Sequence, residues 1–190
     1  MIKKPENYDN INVNQPLEAG GYILKIVNAE YVPNKDYVIL NLDICEGPMK
    51  DYFSKKVYNG RWNANAVKYL SLKNTDGAIK SLKSDITAIE RSNNIVFDWN
   101  EKSLIGKKVG GVFGKVQYQA NDGTLKFNVK LKRLRSIESI VTGDYEIPEP
   151  EYLNLSEVGS SDYLESARAV ASFMEKENHE IFVSDDDLPF

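Results

Sequence analysis

The 190-residue sequence has one cysteine, Cys45, and one histidine, His179. A lone cysteine cannot form an internal disulfide, and Cys45 lies in an apolar run, where cysteine usually acts as a small buried hydrophobe. The sequence shows no carboxylate cluster and no Cys/His spacing typical of a metal site. We therefore expect no metal, no cofactor and no enzymatic activity. A metal-dependent nuclease is the enzymatic alternative, but the sequence offers no candidate metal ligands for it.

Long apolar runs are also missing. No run approaches the roughly 20 residues that a membrane-spanning helix needs. The first residues, MIKKPEN, lack the apolar segment of a signal peptide. These absences predict a cytoplasmic protein without a membrane partner.

Charge is distributed unevenly along the chain. Residues 1–143 hold 22 Lys and Arg against 15 Asp and Glu, a balance of +7, whereas residues 144–190 hold 2 against 13, a balance of −11. A basic body attracts polyanions, and a block of like charge is usually solvated. We predict a nucleic-acid-binding domain over residues 1–143, followed over residues 144–190 by an acidic linker and a protein-interaction tail.

Alternating apolar and polar residues predict the strands. Residues 22–32 and 37–45 read as a hairpin, and residues 52–58 as a third strand. Two more strands, 109–118 and 125–137, flank a turn that contains Asp-Gly. The apolar phase of the last strand slips at its end, which predicts a bulge or a bend there.

Between these two groups of strands the apolar residues recur every three or four positions, which predicts one or two helices. The residues that carry this period are Ala66, Val67, Tyr69, Leu70, Leu72, Ile79, Leu82, Ile86 and Ile89. The order of three strands, a helical insert and two strands matches the five-stranded Greek-key barrel called the OB-fold. We therefore predict a mainly β OB-fold, although another small barrel or a β-sandwich would give similar local signals.

The last six residues form a motif with a physical use for each part. Three carboxylates attract a basic surface, the proline limits the conformations lost on binding, and the aromatic ring can be buried. A carboxylate at the chain end adds a group that arginine grips bidentately. The motif consists of Asp185, Asp186, Asp187, Leu188, Pro189 and Phe190.

This motif resembles the tip of bacterial single-stranded DNA-binding proteins, which use it to dock replication, recombination and repair proteins. Leu188 stands where isoleucine is commoner in that family, and this change conserves volume. The resemblance implies that residues 185–190 bind such partner proteins.

A second resemblance covers much of the body. Residues 89–94, 97–101, 104, 106–114 and the Asp122-Gly123 pair are similar to small phage proteins of Gram-positive hosts. Those proteins are treated as single-stranded DNA-binding or replication-associated. The resemblance implies a phage-encoded protein that acts in DNA replication or recombination in a bacterial cytoplasm.

Binding of a single strand without strong sequence preference needs cations along the phosphates and flat rings beneath the bases. The sequence interleaves both residue types near the third, fourth and fifth predicted strands and at the start of the second. The candidate DNA-binding residues are Tyr37, Lys55, Lys56, Tyr58, Arg61, Trp62, Phe113, Lys115, Lys126, Lys130, Lys132 and Arg133. Phe113 is expected to point outward beside Lys115, although Tyr58, Trp62 and Phe113 could each belong to the core instead.

The alternative function is a phage adaptor that uses the tail to sequester host repair proteins without binding DNA. The sequence leaves open a homo-oligomer, the number of nucleotides bound and the identity of the tail's partner.

Overall fold

The computed structural model describes residues 16–57 and 59–153. The chain divides into two compact units between Tyr152 and Leu153, and beyond Leu153 the second unit lies outside the described residues. The first unit contains β1 (Gly20–Val32), β2 (Tyr37–Ile44), β3 (Val67–Ser71), α1 (Asp76–Asn93), β4 (Lys108–Gln119), β5 (Leu125–Arg135) and α2 (Ile137–Thr142). Among the described residues, no helix combines the length and the apolar character needed to cross a membrane.

The five strands form one antiparallel sheet in the order β3-β2-β1-β4-β5. Strand β5, at one end of this order, lies against the 3-10 turn Ala64–Ala66. That turn leads into β3, the strand at the other end. The sheet is therefore a nearly closed barrel, with α1 between β3 and β4 in the chain. This arrangement is consistent with an OB-like fold, so the mainly β class and the helical insert are confirmed.

The third strand is not where the sequence predicts it. In place of a strand over residues 52–58, the described residues form a turn followed by the 3-10 turn Ser54–Lys56. The strand is instead Val67–Ser71, a segment that we expected to be helical. Its apolar spacing fits a helix, but pairing with β2, in which Ile39 lies opposite Tyr69, determines its conformation.

The core fills the interior of the barrel. Phe53 and Phe113 are at most 1% exposed and stack with their ring centroids 5.7 Å apart. Burying each large apolar side chain contributes about 1.5–3 kcal/mol. Around the two rings lie the aliphatic side chains of Leu24, Ile26, Leu40, Leu42, Ile44, Leu70, Ile89, Leu104, Val109, Leu131 and Leu134.

Helix α1 packs one face on the barrel. Thr75 caps its first turn, where the Thr75 hydroxyl accepts a hydrogen bond from the amide of Ala78, and Asn94 ends it in the left-handed conformation. Ile86 and Ile89 are buried, as the helical period predicts. The same face carries Asp85, which is buried and needs a partner of opposite charge.

Lys68 of β3 supplies that charge. Its Nζ lies 3.0 Å from Oδ2 of Asp85, and the two side chains are 17% and 6% exposed. Burial raises the pKa of the Asp85 carboxyl, and the ammonium of Lys68 opposes that rise. This ion pair therefore connects the short strand β3 to α1.

Residues 144–152, the first part of the acidic segment, lie against the barrel. The Tyr145 hydroxyl accepts a hydrogen bond from the amide of Gly21. The amide of Glu151 donates to the Lys115 carbonyl, and the Glu151 carbonyl accepts from the amide of Gln117. Strand β1 pairs with only part of β4, and the segment covers part of the β4 edge that β1 leaves open. This cover limits pairing of that edge with other chains.

We expect Lys68→Met to lower the free energy of unfolding by about 3–5 kcal/mol at neutral pH, because it leaves the Asp85 carboxylate buried without its cation. The double variant Lys68→Met/Asp85→Leu should recover most of that loss. Urea unfolding of the wild type and of the single and double variants measures both effects.

The loss should also depend on pH. Without Lys68 the pKa of Asp85 in the folded variant rises further above its unfolded value. The variant is therefore destabilised at pH values above that raised pKa, and the loss disappears as the pH falls through it and the carboxyl is protonated. A loss from Lys68→Met that is independent of pH would contradict this assignment.

Candidate nucleic-acid interface

The outer face of β2 and β3 carries a pair of tyrosines. Tyr37 lies opposite Ser71 and Ile39 opposite Tyr69, so the two tyrosines share one face of the sheet. Their ring centroids are 5.2 Å apart with an interplanar angle of 84°, and Tyr69 is 56% exposed. We call Tyr37 and Tyr69 the tyrosine pair; it presents an open aromatic surface to solvent.

Tyr69 was missed by the sequence analysis, which placed it in a helix. Alternation with the inward-facing Leu70 was the signal for it, but a strand as short as β3 shows too few alternations to be recognised. Apart from Asp43, which is buried, the other residues of β2 and β3 in this phase are uncharged. Cations near the tyrosine pair must therefore come from the loops that flank these strands.

One of these loops, of which residues 45–57 and 59–63 are described, is fixed by a buried carboxylate. Asp43 at the end of β2 is 5% exposed, and its Oδ1 accepts hydrogen bonds of 2.9 Å from the amides of Ile44 and Phe53. Its Oδ2 accepts from the amide of Ser54 at 3.1 Å and from the Ser54 hydroxyl. Asp43 therefore holds the turn in place and has a structural role.

The loop presents lysines at its surface. Lys55 and Lys56 are exposed, and Nζ of Lys56 lies 3.7 Å from the centroid of the Tyr52 ring. Arg61 is also exposed, whereas Trp62 is half-buried and packs against the core. The part of Trp62 that packs against the core is unavailable to a base.

Phe113 is not a surface ring. It is 0% exposed, stacks on Phe53 and meets Tyr22 edge to face, so its assignment as a DNA-stacking residue is wrong. The expectation that Phe113 points outward reversed the phase of β4. Val112 is buried too, but it lies opposite Gly21, on the side where Tyr145 lies. Both phases of β4 are covered, so alternation alone could not show which one is the core.

The hairpin of β4 and β5 extends beyond the core. Tyr118 lies opposite Lys126 and shares the outer face with Lys130, which lies opposite Gly114. Tyr118 is 36% exposed, and both lysines are exposed. Lys115 is exposed on the other face of the hairpin.

That other face also carries rings. Phe127 is 44% exposed and Tyr152 is 70% exposed, and the two meet edge to face at 5.8 Å. The sequence analysis missed Phe127 because its phase is that of the core. The hairpin projects beyond the core at this point, so an inward-facing residue reaches solvent there.

The bulge predicted from the phase slip lies in β5. The register shifts between Val112 and Phe113, which face Arg133 and Leu131 and leave Lys132 as the extra residue. Nζ of Lys132 lies 2.6 Å from Oε2 of Glu151, and the Lys132 side chain is 16% exposed. Contrary to the expectation of a cation open to phosphate, Lys132 is already bonded to a carboxylate, whereas Arg133 is exposed.

Several predicted functional residues fall outside the described part of the chain. They are Tyr58 and the whole tail motif, Asp185, Asp186, Asp187, Leu188, Pro189 and Phe190. Their assignments stay predictions.

Comparison with protein-family models gives no match, and comparison with curated proteins gives no significant similarity. The function must therefore be inferred from the residues of this chain and their arrangement.

We expect Phe113→Ala to lower the free energy of unfolding by about 3–5 kcal/mol, because it empties a fully buried ring position. Phe113→Leu keeps most of the apolar volume and should cost less. Urea unfolding measures both variants. A stability close to that of the wild type for Phe113→Ala would show that the ring does not belong to the core.

Proposed function

We propose that this protein binds single-stranded DNA without strong sequence preference, in replication or recombination, and recruits partner proteins through residues 185–190. The observation that carries the proposal is the tyrosine pair on the outer face of β2 and β3. In OB-type barrels this face, with the loops that join β1 to β2 and β4 to β5, is where oligonucleotides bind.

Stacking is the first source of binding energy. Every base has a π-face, so an exposed ring supports any base, at about 1–3 kcal/mol per base. Tyr37 fixes the Tyr69 ring by an edge-to-face contact while Tyr69 remains more than half exposed. A ring held in this way loses little freedom when a base stacks on it.

Charge is the second source. Lys35 lies in the turn between β1 and β2, and Lys55 and Lys56 lie in the loop that follows β2. Lys126 and Lys130 lie on the hairpin of β4 and β5. Cations on three connections can contact the phosphates on either side of stacked bases and make the affinity depend on salt.

Recruitment rests on the sequence of residues 185–190 and on the charge of the segment that contains them. The balance of −11 over residues 144–190 opposes binding of this segment to nucleic acid and favours a basic protein surface. The leucine, proline and phenylalanine add apolar contacts that a purely electrostatic tail would lack.

We expect Tyr69→Ala to weaken binding to oligothymidine about five-fold to a hundred-fold, because one stacking contact is lost. Tyr69→Phe should retain most of the affinity, since it keeps the ring. Tyr31→Ala is the matched control, because Tyr31 is 42% exposed on the same sheet but lies opposite Val38, in the inward-facing phase. Fluorescence anisotropy with a labelled oligothymidine measures all three variants.

The same titration should be run against single-stranded and duplex DNA at two salt concentrations. Preference for the single strand and an affinity that falls as salt rises are the expected results. If the folded wild-type protein does not bind the single strand at low salt, DNA binding is refuted and the adaptor function takes its place.

We expect deletion of residues 185–190 to leave the affinity for DNA unchanged or slightly higher, because it removes three carboxylates, and to abolish partner binding. Phe190→Ala is the matched variant, since it keeps those three charges and removes the ring. A pull-down with a purified bacterial helicase or recombination protein measures the second effect. Undiminished capture by the truncated protein would refute recruitment through this segment.

A further inference from the structure

We propose that a groove between α1 and the junction of β5 with α2 holds part of the phosphodiester backbone of the bound single strand. This inference rests on the proposed function and adds a second contact region to the tyrosine pair. The groove has a volume of about 400 Å³. Its cationic lining residues are Lys80, Lys83, Arg91 and Arg135.

The lining of the groove matches a phosphate ligand. Four of the ten lining residues are cations, and four more carry hydroxyl groups; the hydroxyls of Ser136 and Ser139 bond each other, and those of Ser84 and Thr87 can donate hydrogen bonds to phosphate oxygens. The apolar lining is limited to Ala88 and Leu134, and the described lining includes no aromatic ring. The groove therefore suits the backbone of a nucleic acid better than its bases.

The cations on α1 lie along one side of the helix. Lys80, Lys83, Thr87 and Arg91 are separated by three or four residues, which places them on one face. From Lys80 to Arg91 this face extends about 16 Å, at 1.5 Å per residue. That length exceeds the size of a single phosphate group, so the groove fits a chain of phosphates better than one isolated anion.

A row of cations connects the groove with the hairpin. Lys130, Arg133 and Arg135 lie opposite Gly114, Val112 and Gly110, which alternate along β4, so all three cations share the outer face of β5. Measured along the partner residues of β4, the row extends about 13 Å at 3.3 Å per residue. Arg135 ends the row and also lines the groove, which makes the two positive surfaces continuous.

Acidic side chains limit the path of the bound strand on the other side of the row of cations. Asp144 and Glu146 line an adjoining hollow of about 330 Å³ with Arg133 and Arg135. Asp85, on α1, is buried and paired with Lys68. We therefore expect the strand to leave the row at Arg135 and to follow the α1 side of the groove, away from Asp144 and Glu146.

An acidic peptide is the other anionic chain that such a groove could hold. Residues 185–190 supply the charge, but their leucine and phenylalanine need an apolar pocket. The groove offers two apolar residues, one of which is an alanine. The lining therefore favours a phosphodiester backbone over this peptide.

The test is the salt dependence of oligothymidine binding to the full chain. For a single strand, each phosphate contact contributes about 0.7 to the slope of log Kobs against log salt concentration. The variant Lys83→Ala/Arg91→Ala should therefore reduce the magnitude of the slope by about 1.4. The control variant Lys25→Ala/Lys102→Ala loses the same charge at positions outside the groove and should keep the wild-type slope.

Thermal unfolding of both double variants checks that they are folded. If the wild type binds the single strand and the groove variant keeps its slope, the groove proposal is overturned and the proposed function stands. If the wild type binds no single strand, both proposals fall.

A labelled peptide of residues 184–190 provides the third arm. Binding of this peptide to the wild type that is lost in Lys83→Ala/Arg91→Ala, with an unchanged DNA slope, would assign the groove to an acidic peptide and overturn the proposal. Loss of DNA slope without peptide binding supports it.

Discussion

Strand β4 is packed on both faces, and this close packing decides which side chains of the barrel reach solvent. A Cβ atom at Gly111 would lie 2.3 Å from Leu24 on the inner face. On the outer face, a Cβ at Gly110 would lie 2.5 Å from Ile140 of α2, and one at Gly21 of the paired strand would lie 2.6 Å from the Tyr145 ring. The glycines are required because other parts of the chain approach the backbone directly.

The positions of the candidate binding residues follow from this packing. With the inner face of β4 against the core, Phe113 is buried, and the cations of β5 that lie opposite the outer positions of β4 point away from the core. The outer face of β4 is covered by α2 and the segment after it, so the open rings on the outer face of the described sheet belong to the tyrosine pair and to Tyr118 of the hairpin. The bulge at Lys132 then sets Arg133 and Arg135 on the outer face with Lys130.

The sequence predicts most of the fold because four of the five strands are long. These strands have 8 to 13 residues, enough for alternation to be distinguished from a helical period, whereas β3 has five. The loop after β2 looked like a strand because Tyr52 and Phe53 are aromatic, but its conformation depends on hydrogen bonds to Asp43. Such a contact joins residues that are distant along the chain and leaves no periodic signal.

The candidate site was harder to predict because it depends on which face is covered. The sequence predicts surface positions for Lys126 and Lys130, and both are exposed, because lysine usually lies on an exposed face. Aromatic residues fit both environments, so the pattern could not separate Phe113, which is buried, from Tyr69, which is exposed. The difference comes from the coverage of β4 by later parts of the chain and from the open outer face of β2 and β3.

The contact between Lys132 and Glu151 bears on the proposed binding of DNA to the basic surface of β5. Glu151 is 60% exposed whereas Lys132 is 16% exposed, so the ion pair is open to solvent on its carboxylate side only. Under the proposed DNA binding, a phosphate along β5 competes with this carboxylate for the ammonium of Lys132. The backbone bonds of Glu151 to Lys115 and Gln117 do not involve that side chain, so the segment can keep its place beside β4 while Lys132 changes partner. Under the proposed function, the first part of the acidic segment therefore competes with nucleic acid for Lys132 through the Glu151 side chain, while its backbone stays beside β4.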